Sequence, residues 1–180
     1  MRNIIFGFSH PKKWKPGAQL IIFADRKSYK EGEIPISHGY TKFPSPRWDT
    51  AFIYQASGHR TNFMAQQYFD SINESVEEYS ISVEDDVEAA IGHLCVTREG
   101  TPYATGQVIG KAFVWCFSLV MGRTIRNPFS KGIEKADCIE EVANILSKAL
   151  NIPVPLDMDV VTVKPFRDWI ASLPQVVKVK

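Results

Sequence analysis

One cysteine stands where a thiol could act as a nucleophile. In KADCIEEVANILSKAL, residues 135–150, Cys138 follows an aspartate suited to cap a helix and opens an amphipathic run. A thiol at a helix N-terminus meets unpaired N–H groups and the positive end of the helix dipole, which favour the thiolate. The same N–H groups can stabilise an oxyanion on a carbonyl under attack. Cys138, Val142, Ile145 and Ala149 recur at i, i+4, i+7 and i+11, one stripe that should face a sheet. Glu140, Glu141, Asn144 and Lys148 fall mostly off that stripe. Asp137, Glu140 and Glu141 are all acidic and oppose a thiolate unless they turn away. The plain alternative is a small apolar core residue, since free cysteine is among the most buried types.

A nucleophilic cysteine needs a base, usually histidine, and a group to orient it. The chain offers His10, His38, His59 and His93. His10 falls in a polar N-terminal stretch and reads as surface. His93 lies at a helix end beside Cys95 and reads as a capping or half-buried residue. His38 differs, because it sits in mid-strand between Ser37 and Gly39, in phase with Ile36 and Tyr40. Gln55 is in phase on what should be the adjacent strand. A buried glutamine needs hydrogen-bond partners, and an imidazole N–H would serve. His59, beyond Gln55 across a Ser-Gly turn, ranks behind it for the third position. The catalytic candidates are therefore Cys138, His38 and Gln55. Trp48, Phe52, Tyr54 and Phe63 could wall a cleft, although aromatics at this spacing more often fill a core.

The elements that would carry these residues follow from hydrophobic periodicity. The stretch KPGAQLIIFADR reads as a Pro-Gly turn running into a strand from Gln19 to Ala24. IPISHGYTKF is a second strand, with Ile36, His38 and Tyr40 on one face. PSPRWD is a turn, and TAFIYQASG is a third strand with Ala51, Ile53 and Gln55 on one face. VEEYSIS, residues 76–82, is a fourth. Helical patterns come next: SVEDDVEAAIGHLCVTREG, then residues 102–121, then 138–150, then a short helix in TVKPFRDWIASL. Residues 123–136 read as a loop. Strands first and helices after is the order of an α+β fold.

Length and composition narrow the classes. The 180 residues fit a single domain spanning 1–180, with 44% hydrophobic and 23% charged residues. A net charge of +1 argues against a nucleic-acid binder. The N-terminal IIFGF is too short for a secretory core, and no run approaches a membrane span, so a cytoplasmic location is expected. The most apolar window, AFVWCFSLVM at 112–121, is bracketed by Lys111 and Arg123 and reads as a buried helix. Cys95, Cys116 and Cys138 are too widely spaced for a disulfide framework or a zinc site, and free thiols are expected. There is no Gly-rich phosphate loop and no metal-ligand cluster, so no cofactor or metal is expected.

Taken together, KPGAQLIIFADR, ISHGYTKF, FIYQASG and DCIEEVANIL resemble the circularly permuted papain-like fold, the permuted branch of the NlpC/P60 superfamily. That branch includes the YiiX/YebB-like hydrolases and, more distantly, the lecithin:retinol acyltransferase group. Its chains open with a Pro-Gly-Asp turn and a strand, then carry the histidine in a Ser-His pattern. A strand with a polar third residue follows, and the cysteine comes last, at a helix start. GTPYATGQ and DVVTVKPFRDWI are similar to two further family segments, so the likeness spans roughly residues 14–170. The resemblance implies an antiparallel sheet packed against helices, with His38, Gln55 and Cys138 as the triad. It also implies a cysteine peptidase or amidase-type thiol hydrolase, or an acyltransferase, acting through a thiolate–imidazolium pair and an acyl-enzyme. Its substrate would be a peptide, an isopeptide or an acyl lipid. The chain departs from the pattern at Ala18, at Gln55 where glutamate is common, and at Ile139 where a serine usually follows the cysteine. These departures suit the alternative, a weak or inactive papain-like module that captures a protein or lipid. A third reading is an unrelated α+β protein with Cys138 in its core.

Overall fold

The computed structural model describes residues 1–45, 47, 49–122, 125–129 and 136–180. Trp48 and much of the expected 123–136 loop lie outside the described residues. The class is α+β, with one six-stranded antiparallel sheet in the order β4-β3-β2-β1-β5-β6. Its strands are β1 (Arg2–Pro11), β2 (His38–Ser45), β3 (Thr50–Ser57), β4 (Arg60–Ala65), β5 (Asn73–Val83) and β6 (Val177–Lys178). The helices are α1 (Pro16–Asp25), α2 (Gln66–Ile72), α3 (Asp85–Thr97), α4 (Thr105–Met121), α5 (Cys138–Asn144) and α6 (Val163–Ser172). A π-helical turn, Ile145–Ala149, continues α5.

Strand alternation gives the sheet two dissimilar faces. Ile4, Phe6 and Phe8 of β1, with Tyr54, Tyr79 and Ile81, form one face of the main core. Ile91 and Cys95 of α3, Ile139, Val142 and Ile145 of the α5 run, and Phe166 and Ile170 of α6 pack against it. The opposite face holds a smaller core, in which Tyr40 and Ile53 pack on Phe69 of α2. Gly7 makes that packing possible, because a Cβ there would lie 2.0 Å from Cζ of Tyr40. Tyr40 is held in place, since its hydroxyl donates to Glu78 Oε1 at 2.8 Å and accepts from Ser75 Oγ at 2.9 Å.

Two expectations need correction. The stretch after Pro16-Gly17 is a helix and not a strand over Gln19–Ala24. Proline is pre-shaped for the first helical turn, and Ala, Gln and Leu follow it with good helix propensity. The opening strand is instead β1, whose neighbours on either side are β2 and β5. Second, α4 is not a buried helix. Val114 and Ala112 are buried, but Ile109 and Phe113 are each 50% exposed and Met121 is 52% exposed. Among the described residues, no helix is long and apolar enough to cross a membrane.

Elsewhere the pattern holds, with shifted edges. β5 is longer than the 76–82 run, and it takes Ser82 and Val83 from the expected start of α3. Gly100, at φ +82°, follows α3 in the left-handed region that glycine adopts without strain. α6 falls where a final helix was expected.

Candidate active site

His38 opens β2, and its ring leaves the strand on the face that carries α2. Its centroid is 6.4 Å from that of Phe69. β3 pairs with β2 from Thr41↔Tyr54 to Ser45↔Thr50. Extending that register puts Gln55 one diagonal step from His38, within reach of a long side chain. His38 Nε2 and Gln55 Oε1 are 2.6 Å apart. Gln55 is oriented from its other end, where Nε2 donates to Met64 Sδ at 3.3 Å and Asn62 Oδ1 at 3.5 Å. An amide oxygen only accepts, so this network assigns the hydrogen to Nε2 of His38 and leaves Nδ1 as the bare base.

Cys138 is the first residue of α5, as its position after Asp137 predicts. Asp137 caps the helix, with Oδ1 accepting from Ile139 N at 3.0 Å and Glu140 N at 2.9 Å. Glu140 Oε2 closes the capping box by accepting from Asp137 N at 3.2 Å. The cap leaves the N–H of Cys138 itself outside the box. The thiol is 3% exposed. It receives the N–H groups of Gly39 and Ile139 and is hydrogen-bonded to the Tyr103 hydroxyl. The recorded β2–β3 ladder stops at Thr41, so Gly39 lies beyond it and its N–H is open to the sulfur.

The structure joins His38 to Gln55 but not to Cys138: the imidazole lies on the α2 side of the sheet, and the thiol belongs to the core on the other side. His38 is bonded to Gln55, Cys138 is bonded to Gly39, and Gly39 is the chain neighbour of His38. His38 also feels the charges of Lys15 and Asp137.

The acidic residues around the thiol are each compensated. Asp137 is buried, and Lys111 Nζ of α4 pairs with its Oδ2. Glu141 is buried too, contrary to its expected place off the inward stripe. Arg98 Nε donates to both of its oxygens at 2.9 Å, and the Tyr54 hydroxyl donates to Oε2 at 2.8 Å. Gln107 Nε2 donates to Glu140. Burial, and then the charge of Asp137, hold the Glu140 carboxyl above its ordinary range.

The resting protonation state differs from the expected ion pair. Burial first, then Asp137, push the Cys138 thiol up to about 12, against the Gly39 and Ile139 N–H groups and Lys111. Burial pushes the His38 imidazole down to about 4, with Gln55 opposing and Lys15 reinforcing. At neutral pH both groups are uncharged. Helix-terminus N–H groups lower a thiol pKa, but here desolvation is the larger effect.

The other candidates lie apart. His59 is exposed at the β3–β4 turn and contributes only its carbonyl, which accepts from Tyr103 N at 2.8 Å. His10 ends β1 with Nε2 3.6 Å from Glu74, and His93 is exposed on α3. Phe52 is 40% exposed, whereas Tyr54 and Phe63 pack into the main core. Tyr103, for which the sequence favours helix-start packing over the site-lining place that the resemblance suggests, reaches the sulfur. Burial and the charges of Cys138 and Asp137 raise its pKa well above the ordinary value, so it stays a hydroxyl donor. Lys111 is the second residue sequence reasoning passed over. Its signal was present, as the one charge in an otherwise uncharged 17-residue helix.

Beside the thiol lies a cavity of about 20 Å³. That is room for roughly one water. Ile21, Ala24, Val108, Ala112 and Val161 wall it, and the Lys111–Asp137 pair forms its polar end. Among the described residues, no group of three or more His, Cys, Asp or Glu side chains could hold a metal ion. No family model, no curated protein and no solved structure matches the chain.

Proposed function

We propose that the chain is a thiol hydrolase or acyltransferase of the permuted papain-like kind, acting on an amide, ester or thioester through Cys138, His38 and Gln55. The observation that carries this reading is the convergence on one sulfur of two donors from outside α5, Gly39 N–H and Tyr103 O–H. A core cysteine needs no such company, because a thiol is a weak acceptor and packs as a small hydrophobe. The tautomer fixed by Gln55 supports the same reading, since it leaves His38 Nδ1 as a base.

In this reading the sulfur attacks the carbonyl carbon while its proton passes to His38 Nδ1. The carbonyl π pair moves onto oxygen, and the N–H of Cys138 would contribute to holding that oxyanion. Collapse expels the leaving group, which takes the proton from His38. An acyl-enzyme remains, and water or an acceptor attacks it with His38 again as base. The neutral resting pair makes this a general-base mechanism and not a preformed thiolate. It also favours the second reading, a module that captures a protein or lipid with little turnover.

Intact-mass measurement after incubation with p-nitrophenyl acyl esters and acyl thioesters separates the two. Acylation confined to Cys138, abolished in Cys138→Ala and slowed roughly 10²–10⁴-fold in His38→Asn, is the expected result. Acylation absent from Cys138, or indifferent to His38, rejects the enzyme reading in favour of capture.

A further inference from the structure

The outer surface of α1 and α4 is unlike an ordinary solvent face. α4 has one charged residue, Lys111, and that side chain is buried against Asp137. The outward stripe of α4 carries Ile109, Phe113 and Cys116 at i, i+4 and i+7, all exposed, with Phe117 6.4 Å from Phe113. α1 packs beside it, with Phe23 43% exposed and set edge-on to Trp115 at 5.2 Å. Just before α1, Trp14 is 73% exposed. Solitary exposed hydrophobics need no explanation, but a contiguous uncharged aromatic face does.

The chain on either side of α1 is basic. From Lys12 to Lys30 the chain carries six basic residues: Lys12, Lys13, Lys15, Arg26, Lys27 and Lys30. The one acid in that span, Asp25, is buried and accepts from Thr162 and from Lys164 N. Arg26 lies over the aromatic edge, 4.3 Å from the Phe23 centroid and 5.7 Å from that of Trp115. The rest of the protein offsets this excess, since the net charge is only +1. Of the basic residues, Arg26 stands on the aromatic edge itself, whereas Lys12 reaches away to the carbonyl of Asp70.

We infer that the outer face of α1 and α4 docks the protein on an anionic lipid surface. Phe23, Phe113 and Trp14 enter the boundary between headgroups and acyl chains, and the flanking Lys and Arg residues meet the headgroup charge. A second copy of this chain fits the face less well, because two-fold pairing would set like-charged rims against each other. The inner side of the same two helices walls the cavity beside Cys138, so docking would bring the thiol to the membrane boundary. The inference does not depend on Cys138 being reactive.

Co-sedimentation of the full chain with phosphatidylcholine vesicles, with and without phosphatidylglycerol, tests it. Binding that requires phosphatidylglycerol and weakens in high salt is expected. Lys13→Gln with Lys27→Gln should weaken it roughly thirtyfold, and Phe113→Ser with Ile109→Asn should weaken it in low salt as well. Circular dichroism of each variant establishes that it has folded. Cys138→Ala should bind as the wild type does, so failed docking and failed acylation are separate results. Absence of vesicle binding, equal binding to pure phosphatidylcholine, or a dimer dissolved by Phe113→Ser each overturns the inference.

Discussion

Replacing Asp137 by asparagine tests the electrostatic account of the thiol most directly. With the thiol near 12 and the imidazole near 4, moving the proton between them in the resting protein costs roughly 11 kcal/mol. The neutral pair is therefore the resting state. Asparagine still caps α5 through its oxygen, but it removes the negative charge and leaves the Lys111 ammonium beside the sulfur. Both changes favour the thiolate. At about 5 Å and an effective dielectric near 20, losing one negative charge is worth roughly 3 kcal/mol, or about two pH units. The assay is alkylation of each cysteine as a function of pH, read by mass spectrometry. At about pH 8 the Cys138 rate should rise roughly 30–100-fold in Asp137→Asn. Exposed Cys116 serves as the reference, and buried Cys95 reports any general opening. A wild-type Cys138 that ionises below about 8.5, or a variant whose Cys138 rises no more than Cys95, refutes the reasoning.

Two further predictions concern stability. Lys111→Met leaves Asp137 buried without its cation and should destabilise the fold by about 3–5 kcal/mol in denaturant unfolding. Adding Asp137→Asn to it should recover much of that loss. Glu33 is lowered to about 2: burial raises it, but the Lys30 N–H, Arg167 and Lys164 outweigh that. Its folded pKa is depressed, so its contribution is complete above about 4.5 and is lost as pH falls toward 2. Melting temperatures across that window should drop less steeply in Glu33→Gln than in wild type.

What the sequence disclosed and what it hid divide along the range of the interactions. The His38–Gln55 bond was legible because strand alternation is local and puts both on one face. The helix start at Cys138 was legible because an aspartate immediately precedes it. The segment QLIIFA was not, since a short apolar run has no period long enough to separate strand from helix. Pro16-Gly17 served equally as a turn or as a helix start. β1 is hard to read because IIFGF is a five-residue apolar run with no period that marks it as a strand. The thiol's environment was hidden for a deeper reason. Its pKa depends on burial and on residues from α4 and from the segment around Tyr103, which no local pattern connects to Cys138.

Among the described residues, five of the six strands and His38 fall within residues 2–83, whereas the thiol comes 55 residues later on α5. The frame of the sheet can close from contacts among neighbouring segments before α5 is required. Burial of Cys138 then marks a late, long-range event, because it needs β2, Tyr103 and α4 already in place. A brief pulse of a thiol reagent during refolding would time it. Cys95 should become protected with the docking of α3, and Cys138 with the closing of the site, while Cys116 stays reactive throughout. The three cysteines thus form a built-in clock for assembly, needing no added label.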